Sequence, residues 1–371
     1  MNTHNNWNDD ELEDDLDIEQ EEDFSRTNLT EEKIEVLRHI APEDTEPLRV
    51  DKYIINTLEG ATRNKIQVAI EEGMVSVDGK VVKANFKIKP GMELVVLDNS
   101  KPELKEIRPE NIPLNIVYED DDLMVINKPP NLVVHPGSGN YTGTLINGVA
   151  WYLNPEQDPA KKIDLPRIGL VHRIDKDTSG LLLIAKNDDA MQSLSAQFKA
   201  HTVHRRYIGL AWGDYKEEEG TIEAHIGRNL RFRKKMDAFP DGSYGKHAIT
   251  HYKVLERLLY VTLLEFRLET GRTHQIRVHN RLIGHPLFND ATYGGDSIVK
   301  GTVYAKYKQF VENCFKAMPR QALHAKEIGF IHPRTGEEMR FSCDLPDDFK
   351  QVIEKWRKYT NTYKLEEDEA Y

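Results

Sequence analysis

Hydrophobic and polar positions follow two different periods in the first hundred residues of the chain. In LRVDKYIINTL and TRNKIQVAIEEG the apolar residues recur every three or four positions, which predicts two short amphipathic helices. The second helix would place three apolar residues on one face and end at a glycine: Ile66, Ala69, Ile70 and Gly73. The next segment, VSVDGKVV, alternates around Asp78 and Gly79, a two-residue hairpin signal. Residues 48–97 are therefore predicted to form a compact module of two helices and a hairpin.

Polar segments flank this module on both sides. Residues 1–47 are predicted to be a disordered acidic extension, with a short helix near TEEKIEVLRHI that Thr30 could cap. Residues 98–115 are polar and interrupted by prolines, which is typical of a linker.

From residue 116 onward, short β-patterned runs alternate with a few helical segments. LMVINKPPNLVVHPG predicts two short strands around Lys128, and LLLIAK, RYIGLAW, ITHYKVL and VTLLEFRLE each predict one strand. DDFKQVIEKWRKY predicts a final helix. This order predicts an α+β domain over residues 116–360 with a mixed or antiparallel sheet. An acidic tail, residues 361–371, would follow it.

Composition excludes several classes of protein. The 371 residues provide room for two or three domains, and no apolar run approaches the roughly 20 residues that span a bilayer. The N-terminus has neither the basic nor the apolar segment of a secretory signal. The two cysteines, Cys314 and Cys343, form neither a metal quartet nor a disulfide framework. We therefore expect a cytoplasmic protein with no membrane partner.

The net charge of −12 is distributed unevenly. Residues 1–47 hold 17 Asp and Glu against three Arg and Lys, a net of −14, and residues 361–371 carry a net of −3. Residues 48–360 therefore carry a net of +5, so that acidic ends mask a mildly basic body. Such an extension is usually only solvated. The alternative is a mimic of a nucleic acid that competes for the basic body.

One polar loop interrupts two apolar runs in GLVHRIDKDTSGLLLIAK, residues 169–186. Within it, Asp175 stands close to Arg173 and Lys176. A carboxylate held by a cation stays ionised and can act as a nucleophile or a base. An aspartate that merely satisfies its own turn explains this loop equally well, so both interpretations stay open on the loop alone.

Two other segments combine cations with polar or aromatic residues. In LETGRTHQIRVHNRLIGHPLFND, Thr273 could cap a helix that ends before Gly284, with Arg277 and Arg281 on one face. That face indicates either a solvated basic surface or a phosphate or carboxylate partner. In HRRYIGLAWG, Tyr207 follows two arginines on a predicted strand. A strand tyrosine usually belongs to a core, but this one could also stack on a base.

Cofactor and metal sites are not indicated. GSGNYTG lacks the Gly-Lys-Ser/Thr sequence of a phosphate loop and the glycine spacing of a dinucleotide site. His172 and Asp175 are three residues apart, but no cluster of His or Cys supplies further metal ligands. We therefore expect no metal, no nucleotide and no other cofactor.

Taken together, the motifs identify a family. HRIDKDTSG resembles the HRLDxxTSG signature of the RluA-type pseudouridine synthases, and INKPPNLVVHPGSGN, RRYIGL and LETGRTHQIRVHNRLIGHPLFND match its other motifs in the same order. The module at residues 48–97 resembles the S-four-type RNA-binding module. The resemblance covers residues 48–345. Ile174 replaces the usual leucine, residues 229–247 match less well, and the acidic extension lies outside the pattern.

This resemblance implies an enzyme that isomerises specific uridines to pseudouridine in RNA, most readily ribosomal RNA of the large subunit, without a cofactor. The glycosidic bond breaks, the uracil turns, and its carbon 5 joins the sugar. Asp175 would be the catalytic carboxylate, and Arg277 would pair with it. Tyr207, also counted as catalytic, would pack against the base and could assist proton removal from carbon 5. The implied fold is an α+β catalytic domain with a central, mostly antiparallel sheet and a cleft, preceded by the small RNA-binding module.

Further contacts follow from the same resemblance. Arg173 would contact the flipped nucleotide. Additional substrate contacts are expected from His172, Arg272, His274 and Lys128. In the module, RNA contacts are expected from Arg49, Lys52, Arg63 and Lys65. Two alternatives stay open: a non-catalytic RNA-binding or ribosome-assembly factor, and, less favoured because no second acid accompanies Asp175, a carboxylate-dependent hydrolase.

Overall fold

The structure is a computed structural model that describes residues 34–43, 45–58, 61, 63–98, 107–137, 140–153, 169–232 and 235–369. The described residues belong to two compact units, a smaller one that ends at residue 98 and a larger one that begins at residue 107. None of the helices within these ranges is long and apolar enough to span a bilayer.

The smaller unit combines two helices with short strands. Its elements are β1 (Ile34–Ile40), β2 (Leu48–Arg49), α1 (Val50–Thr57), α2 (Arg63–Glu71), β3 (Val75–Val77), β4 (Lys80–Val81), β5 (Lys87–Ile88) and β6 (Glu93–Asp98). Four strands form a sheet in the order β1-β6-β3-β4, and β2 pairs with β5. Ile66 and Ile70 are buried as the helical pattern predicts. Asp78 and Gly79 both have positive φ, as a tight hairpin requires.

The helix expected near residues 30–40 is wrong where the structure describes them. Residues 34–40 form strand β1, which pairs antiparallel with β6. The side chains alternate, with Leu37 half-buried against the core and Arg38 exposed and ion-paired to Glu93 at 2.7 Å. Pairing with β1 satisfies the backbone hydrogen-bonding groups along this edge of β6. A separate helix at residues 34–40 would leave those groups without protein partners. The smaller unit therefore begins before residue 48, and the cap expected at Thr30 falls outside the described residues.

The larger unit is built on one ten-stranded sheet. Its strands are β7 (Ile116–Glu119), β8 (Leu123–Lys128), β9 (Ser179–Ala185), β10 (His204–Trp212), β11 (Glu219–Arg228), β12 (Met236–Phe239), β13 (Lys246–Leu258), β14 (Val261–Leu268), β15 (Leu323–Ile331) and β16 (Glu338–Ser342). Their order is β12-β11-β13-β14-β10-β15-β9-β8-β7, with β16 on β15. The β9–β15 pair is parallel and the other named pairs are antiparallel. The predicted α+β class with a mostly antiparallel sheet is confirmed.

Helices cover both faces of this sheet. They are α3 (Leu145–Tyr152), α4 (Asp188–Lys199), α5 (Gln275–Leu282), α6 (Ala305–Ala317) and α7 (Asp347–Glu369). Strand β10 is buried on both faces: Tyr207 joins a core with residues of α3 and α5, whereas Ile208 and Trp212 join a core with α6 and α7. Tyr207 therefore lies on the α5 side of the sheet.

Two boundaries differ from the sequence patterns. The second strand expected after Lys128 does not form, because the carbonyls of Val133 and Val134 accept hydrogen bonds from the first amides of α3 at 2.8 and 3.1 Å. The final helix continues through Glu369 into the predicted acidic tail, where the sequence is rich in strong helix formers.

Candidate active site

A polar loop, residues 171–178, leads into β9 and carries Asp175. It ends where β9 comes very close to β15, at Ser179 and Gly180. Gly180 has a φ of +112°, and a Cβ there would lie 2.2 Å from the carbonyl oxygen of Ala325. Only glycine fits this point of the backbone, which explains why Gly180 ends the Thr-Ser-Gly sequence.

Two buried basic side chains hold the backbone of this loop. Lys128, at the end of β8, donates from Nζ to three backbone carbonyls, including that of Lys176 at 2.7 Å. Arg320 donates from Nη1 to the carbonyl of Asp177 at 3.1 Å and pairs through two nitrogens with Asp348 on α7. The loop is thus fixed to β8 on one side and to α7 on the other.

Asp175 is paired with an arginine that is itself clamped. Arg277 on α5 donates from Nη1 to Oδ2 of Asp175 at 2.9 Å. Its Nε and Nη2 donate to the two carboxylate oxygens of Asp290 at 2.8 and 3.0 Å. Because the side chain of Asp290 is completely buried, this two-pronged bond fixes the plane of the guanidinium. The partner of Asp175 therefore cannot swing away from it.

The charges around Asp175 favour its ionised form. Burial alone would raise the pKa of this carboxyl, but His274, Arg277 and Arg173 outweigh burial and hold the pKa below its usual value. Asp175 is therefore a carboxylate at neutral pH. Its side chain remains 19% exposed, so a reacting group can still approach it.

His274 stands on the other side of the same carboxylate. Its Nε2 is 4.0 Å from Oδ1 of Asp175, and its Nδ1 is 2.7 Å from the hydroxyl of Tyr293. His274 is the residue that precedes α5, with a left-handed backbone at φ +56°. The cap expected at Thr273 is therefore wrong by one residue, whereas the helix ends before Gly284 as predicted.

Tyr207 lies on β10 and is buried. Burial raises the pKa of its hydroxyl, and the negative charge of Asp175 raises it further. The side chain is thus a neutral phenol at physiological pH, electrostatically coupled to Asp175.

A cleft of about 450 Å³ opens beside these groups. Its wall includes Asp175, Lys176, His274, Arg277, Thr292 and Arg320. In the part of the chain that the structure describes, the wall carries three carboxylates, Asp175, Asp177 and Asp296, against four cations, Lys176, Arg277, Lys316 and Arg320, so positive charge is in slight excess. Such a wall is suited to an anionic polymer that presents an electrophilic group. Among the described residues, Tyr207 is not part of this wall.

Comparison with known proteins identifies the fold and the chemistry. Residues 122–281 match the model of the RNA pseudouridylate synthase family, and residues 48–94 match the S4 domain. An uncharacterized RNA pseudouridine synthase of Chlorobaculum parvum is 47% identical over 84% of this chain and 94% of its own. The chain belongs to the RNA pseudouridine synthase family.

Other members of the family are similarly close. Ribosomal large subunit pseudouridine synthase D of Haemophilus ducreyi is 39% identical over 85% of this chain and 93% of its own. The chloroplastic RNA pseudouridine synthase 2 of Arabidopsis thaliana is 38% identical over 82% of this chain and 79% of its own. Because these relatives extend over both units, the RNA pseudouridine synthase assignment applies to the chain as a whole.

Within this synthase, several residues singled out from the sequence do come together. Asp175, Arg277 and His274 meet at the cleft, and Arg173 acts electrostatically on Asp175. Arg272 is half-buried and donates from Nε to the carbonyl of His247 at 3.2 Å. Arg277 and Arg281 share one face, as predicted, because both lie over the ring of a single tyrosine, Tyr293.

Lys128 and His172 have internal roles, contrary to the expectation that both contact substrate. Lys128 is completely buried and fastens the loop backbone, and burial lowers its pKa to about 7. Nε2 of His172 accepts a hydrogen bond from the amide of Leu183 at 2.9 Å, and its ring stacks on Phe198. Burial lowers the pKa of His172 to about 3, which keeps the ring neutral.

Two residues of the site were missed, Asp290 and Tyr293. Both lie in GHPLFNDATYGG, downstream of α5, in a stretch that shows neither helical nor strand periodicity. The interpretation that no second acid lies near Asp175 is therefore corrected: Asp290 lies across Arg277 from it. An Asn-Asp pair directly after the apolar run Pro-Leu-Phe was the available signal.

The described basic residues expected in the S4 domain are exposed, but Arg49 is also ion-paired within the domain. Arg49 is bound through Nε and Nη2 to the buried carboxylate of Asp51, at 3.1 and 2.8 Å. Lys52 and Arg63 are exposed. The side chain of Lys65 lies outside the described part of the chain.

Metal-ligand spacing occurs at one place among the described residues, where Asp120, Asp122 and His332 approach one another. Their polar atoms already have protein partners. His332 bonds to Asp120 at 2.9 Å, and Asp122 pairs with Arg334. Internal ion pairing therefore accounts for this cluster, and none of its residues lines the cleft.

Proposed function

We propose that this synthase converts specific uridines of large-subunit ribosomal RNA to pseudouridine, with Asp175 as the catalytic carboxylate. The observation that carries the proposal is the clamped Asp175–Arg277–Asp290 arrangement at an open cationic cleft. The relatives named ribosomal large subunit pseudouridine synthase D support this RNA as the substrate.

The reaction is an isomerisation, so it needs no net oxidant or reductant. The bond between uracil nitrogen 1 and the sugar breaks, and a bond between carbon 5 and the sugar forms. Carbon 5 loses its proton and nitrogen 1 gains one. An ionised Asp175 can either add to an electrophilic carbon or accept a proton, and both roles require the charge that Arg277 and His274 maintain. Tyr207, as a neutral phenol on the same side of the sheet, would pack against the base. We expect these protein groups to act without a cofactor.

The cleft holds about one nucleotide. A uridine stacked inside an RNA helix cannot bring its sugar and base to Asp175, so it must be flipped out of the stack. Arg173 precedes Asp175 by two residues on the same loop and would contact the displaced nucleotide. Arg272 and His274 would contact the adjoining backbone. Lys52 and Arg63 of the S4 domain would hold RNA outside the cleft.

Substitution of Asp175 tests the catalytic assignment. Asp175→Asn keeps the shape of the side chain and removes the charge, so pseudouridine formation should become undetectable while RNA affinity changes less than about threefold. Asp177→Asn, on the same loop, is the matched control and should stay active, because the contact of Asp177 with Arg320 uses its backbone carbonyl. Normal turnover by Asp175→Asn excludes the mechanism.

Mapping pseudouridine in ribosomal RNA tests the substrate. Cells without this protein should lack pseudouridine at particular large-subunit positions, and the wild-type gene but not Asp175→Asn should restore them. The S4 domain alone favours a second candidate, an RNA-binding or ribosome-assembly factor. In that case the wild-type protein and Asp175→Asn would both restore ribosome assembly, and no pseudouridine in the ribosomal RNA would depend on the presence of either protein. We also propose a cytoplasmic location, which the two cysteines, both buried thiols, support.

A further inference from the structure

Tyr293 contacts two side chains that face Asp175, those of His274, just before α5, and Arg277, on α5. Its hydroxyl meets Nδ1 of His274 at 2.7 Å, and its ring lies 5.0 Å from the guanidinium carbon of Arg277. Its own amide donates to Oδ1 of Asp290 at 3.2 Å. One buried side chain is thus bonded to or stacked on both His274 and Arg277.

A third group favours one direction for the hydrogen bond between Tyr293 and His274. The backbone amide of Met236, at the start of β12, donates to the Tyr293 hydroxyl oxygen at 3.2 Å. Since that oxygen already accepts a hydrogen bond, its proton is available for Nδ1 of His274. Burial raises the pKa of Tyr293 above its usual value, so the hydroxyl keeps this proton.

A neutral histidine that accepts at Nδ1 must carry its proton on Nε2. That nitrogen is the one aimed at Asp175, 4.0 Å from Oδ1. The left-handed backbone of His274, at φ +56°, is a conformation that non-glycine residues adopt at some cost, and such conformations concentrate at functional sites. The hydrogen bond to the hydroxyl of Tyr293 helps to hold the ring in this orientation.

We propose that Tyr293 is a positioning residue that fixes His274 in its Nε2–H tautomer and steadies Arg277, so that both present donors to Asp175 and the reacting nucleotide. This inference rests on the proposed role of Asp175. Tyr293 acts through its neighbours and contacts no reacting atom itself.

Tyr293→Phe is the informative variant, because it keeps the ring under Arg277 and removes only the hydroxyl. We expect kcat to fall about tenfold or more, with KM for an RNA transcript changed less than twofold. Tyr215→Phe is the matched control: its buried hydroxyl bonds to Asn280 on the same helix, away from the cleft. Both variants should lose similar thermal stability, and only Tyr293→Phe should lose kcat.

The tautomer gives a readout that does not depend on activity. In ¹⁵N spectra of histidine-labelled protein, with His274 assigned by its loss in His274→Gln, wild-type His274 should show a protonated Nε2 and an unprotonated Nδ1. Tyr293→Phe should shift the population toward Nδ1–H. In the His274→Gln background, whose side-chain nitrogen remains a donor, Tyr293→Phe should cost less than about twofold in kcat.

Two outcomes overturn the inference: an unchanged His274 tautomer in Tyr293→Phe, or a kcat equal to that of Tyr215→Phe. Activity of Asp175→Asn would instead refute the proposed function, and the tautomer result would still stand. The two failures are therefore distinguishable.

Discussion

At the scale of single residues, the site depends on how one arginine is shared between two carboxylates. Arg277 donates from two of its nitrogens to Asp290 and from the third to Asp175. The buried carboxylate holds the guanidinium, and the exposed one receives its charge. Arg277 can therefore keep Asp175 ionised without closing the cleft around it.

Replacing Arg277 should change the pH dependence of the reaction. In the wild type the pKa of Asp175 is lowered, so kcat/KM should stay level from neutral pH down to about pH 4, the usual value for an aspartate. In Arg277→Gln, burial is opposed by fewer charges, and the acid limb should move up by about 1 to 3 pH units. The measurement is kcat/KM on an RNA transcript between pH 4.5 and 8.

The lowered pKa of Asp175 also determines how the stability of the protein depends on pH. A carboxyl whose folded pKa is lowered contributes stability above its unfolded pKa and loses it as pH falls through the folded value. Thermal melts at each pH separate this effect from activity. Arg277→Lys, which keeps the positive charge, is the control. It should shift the acid limb of kcat/KM less than Arg277→Gln does. An acid limb in Arg277→Gln that coincides with that of the wild type contradicts the electrostatic assignment.

At the scale of elements, the loop that carries Asp175 is positioned by strand pairing. Strand β9 pairs with β15 at Gly180. Lys128 and Arg320 fix the loop to β8 and to α7. The positive charge of Lys128 was visible in the sequence, but its burial depends on where β8 ends relative to the loop, which only the assembled sheet defines. For this reason a residue expected to contact substrate has a structural role instead.

Gly180→Ala tests this pairing. The added Cβ would lie 2.2 Å from a backbone oxygen at a φ of +112°, so either the strands separate or the loop shifts. We expect a loss of about 3 kcal/mol or more in unfolding free energy, measured by urea denaturation, together with a large fall in kcat.

Gly336→Ala is the control for the backbone effect alone. Gly336 also has a positive φ, +72°, but a Cβ there would meet nothing within 4 Å, so the cost should be about 1 kcal/mol with normal kcat. Equal losses in the two variants would mean that close approach to β15 is unimportant.

At the scale of the whole molecule, charge is segregated along the chain. The first 30 residues hold 11 Asp and Glu against one Arg, whereas the body is mildly basic. If the acidic segment competes with RNA, its deletion should tighten non-specific RNA binding at low salt, and the difference should disappear near 0.5 M salt, roughly where screening shortens to a few ångströms.

The deletion should stop at residue 30. Removing residues 1–47 would also remove β1 and expose the edge of β6. A full-length variant with Asp and Glu of residues 9–23 changed to Asn and Gln separates charge from length. Unchanged affinity in both variants, measured by titration with an unrelated RNA, would leave the segment as a solvated extension.

The sequence by itself determined the α+β class and the module of two helices and a hairpin, because these depend on local periodicity and turn chemistry. The pairing of Asp175 with Arg277 was implied by the family resemblance of the motifs. Only the tertiary structure decided that residues 34–40 pair with β6, that Lys128 is buried, and that Asp290 and Tyr293 complete the site. Each of these depends on segments far apart in sequence meeting in space. A residue's type shows which bonds it can form, whereas burial and the identity of its partner are properties of the folded chain.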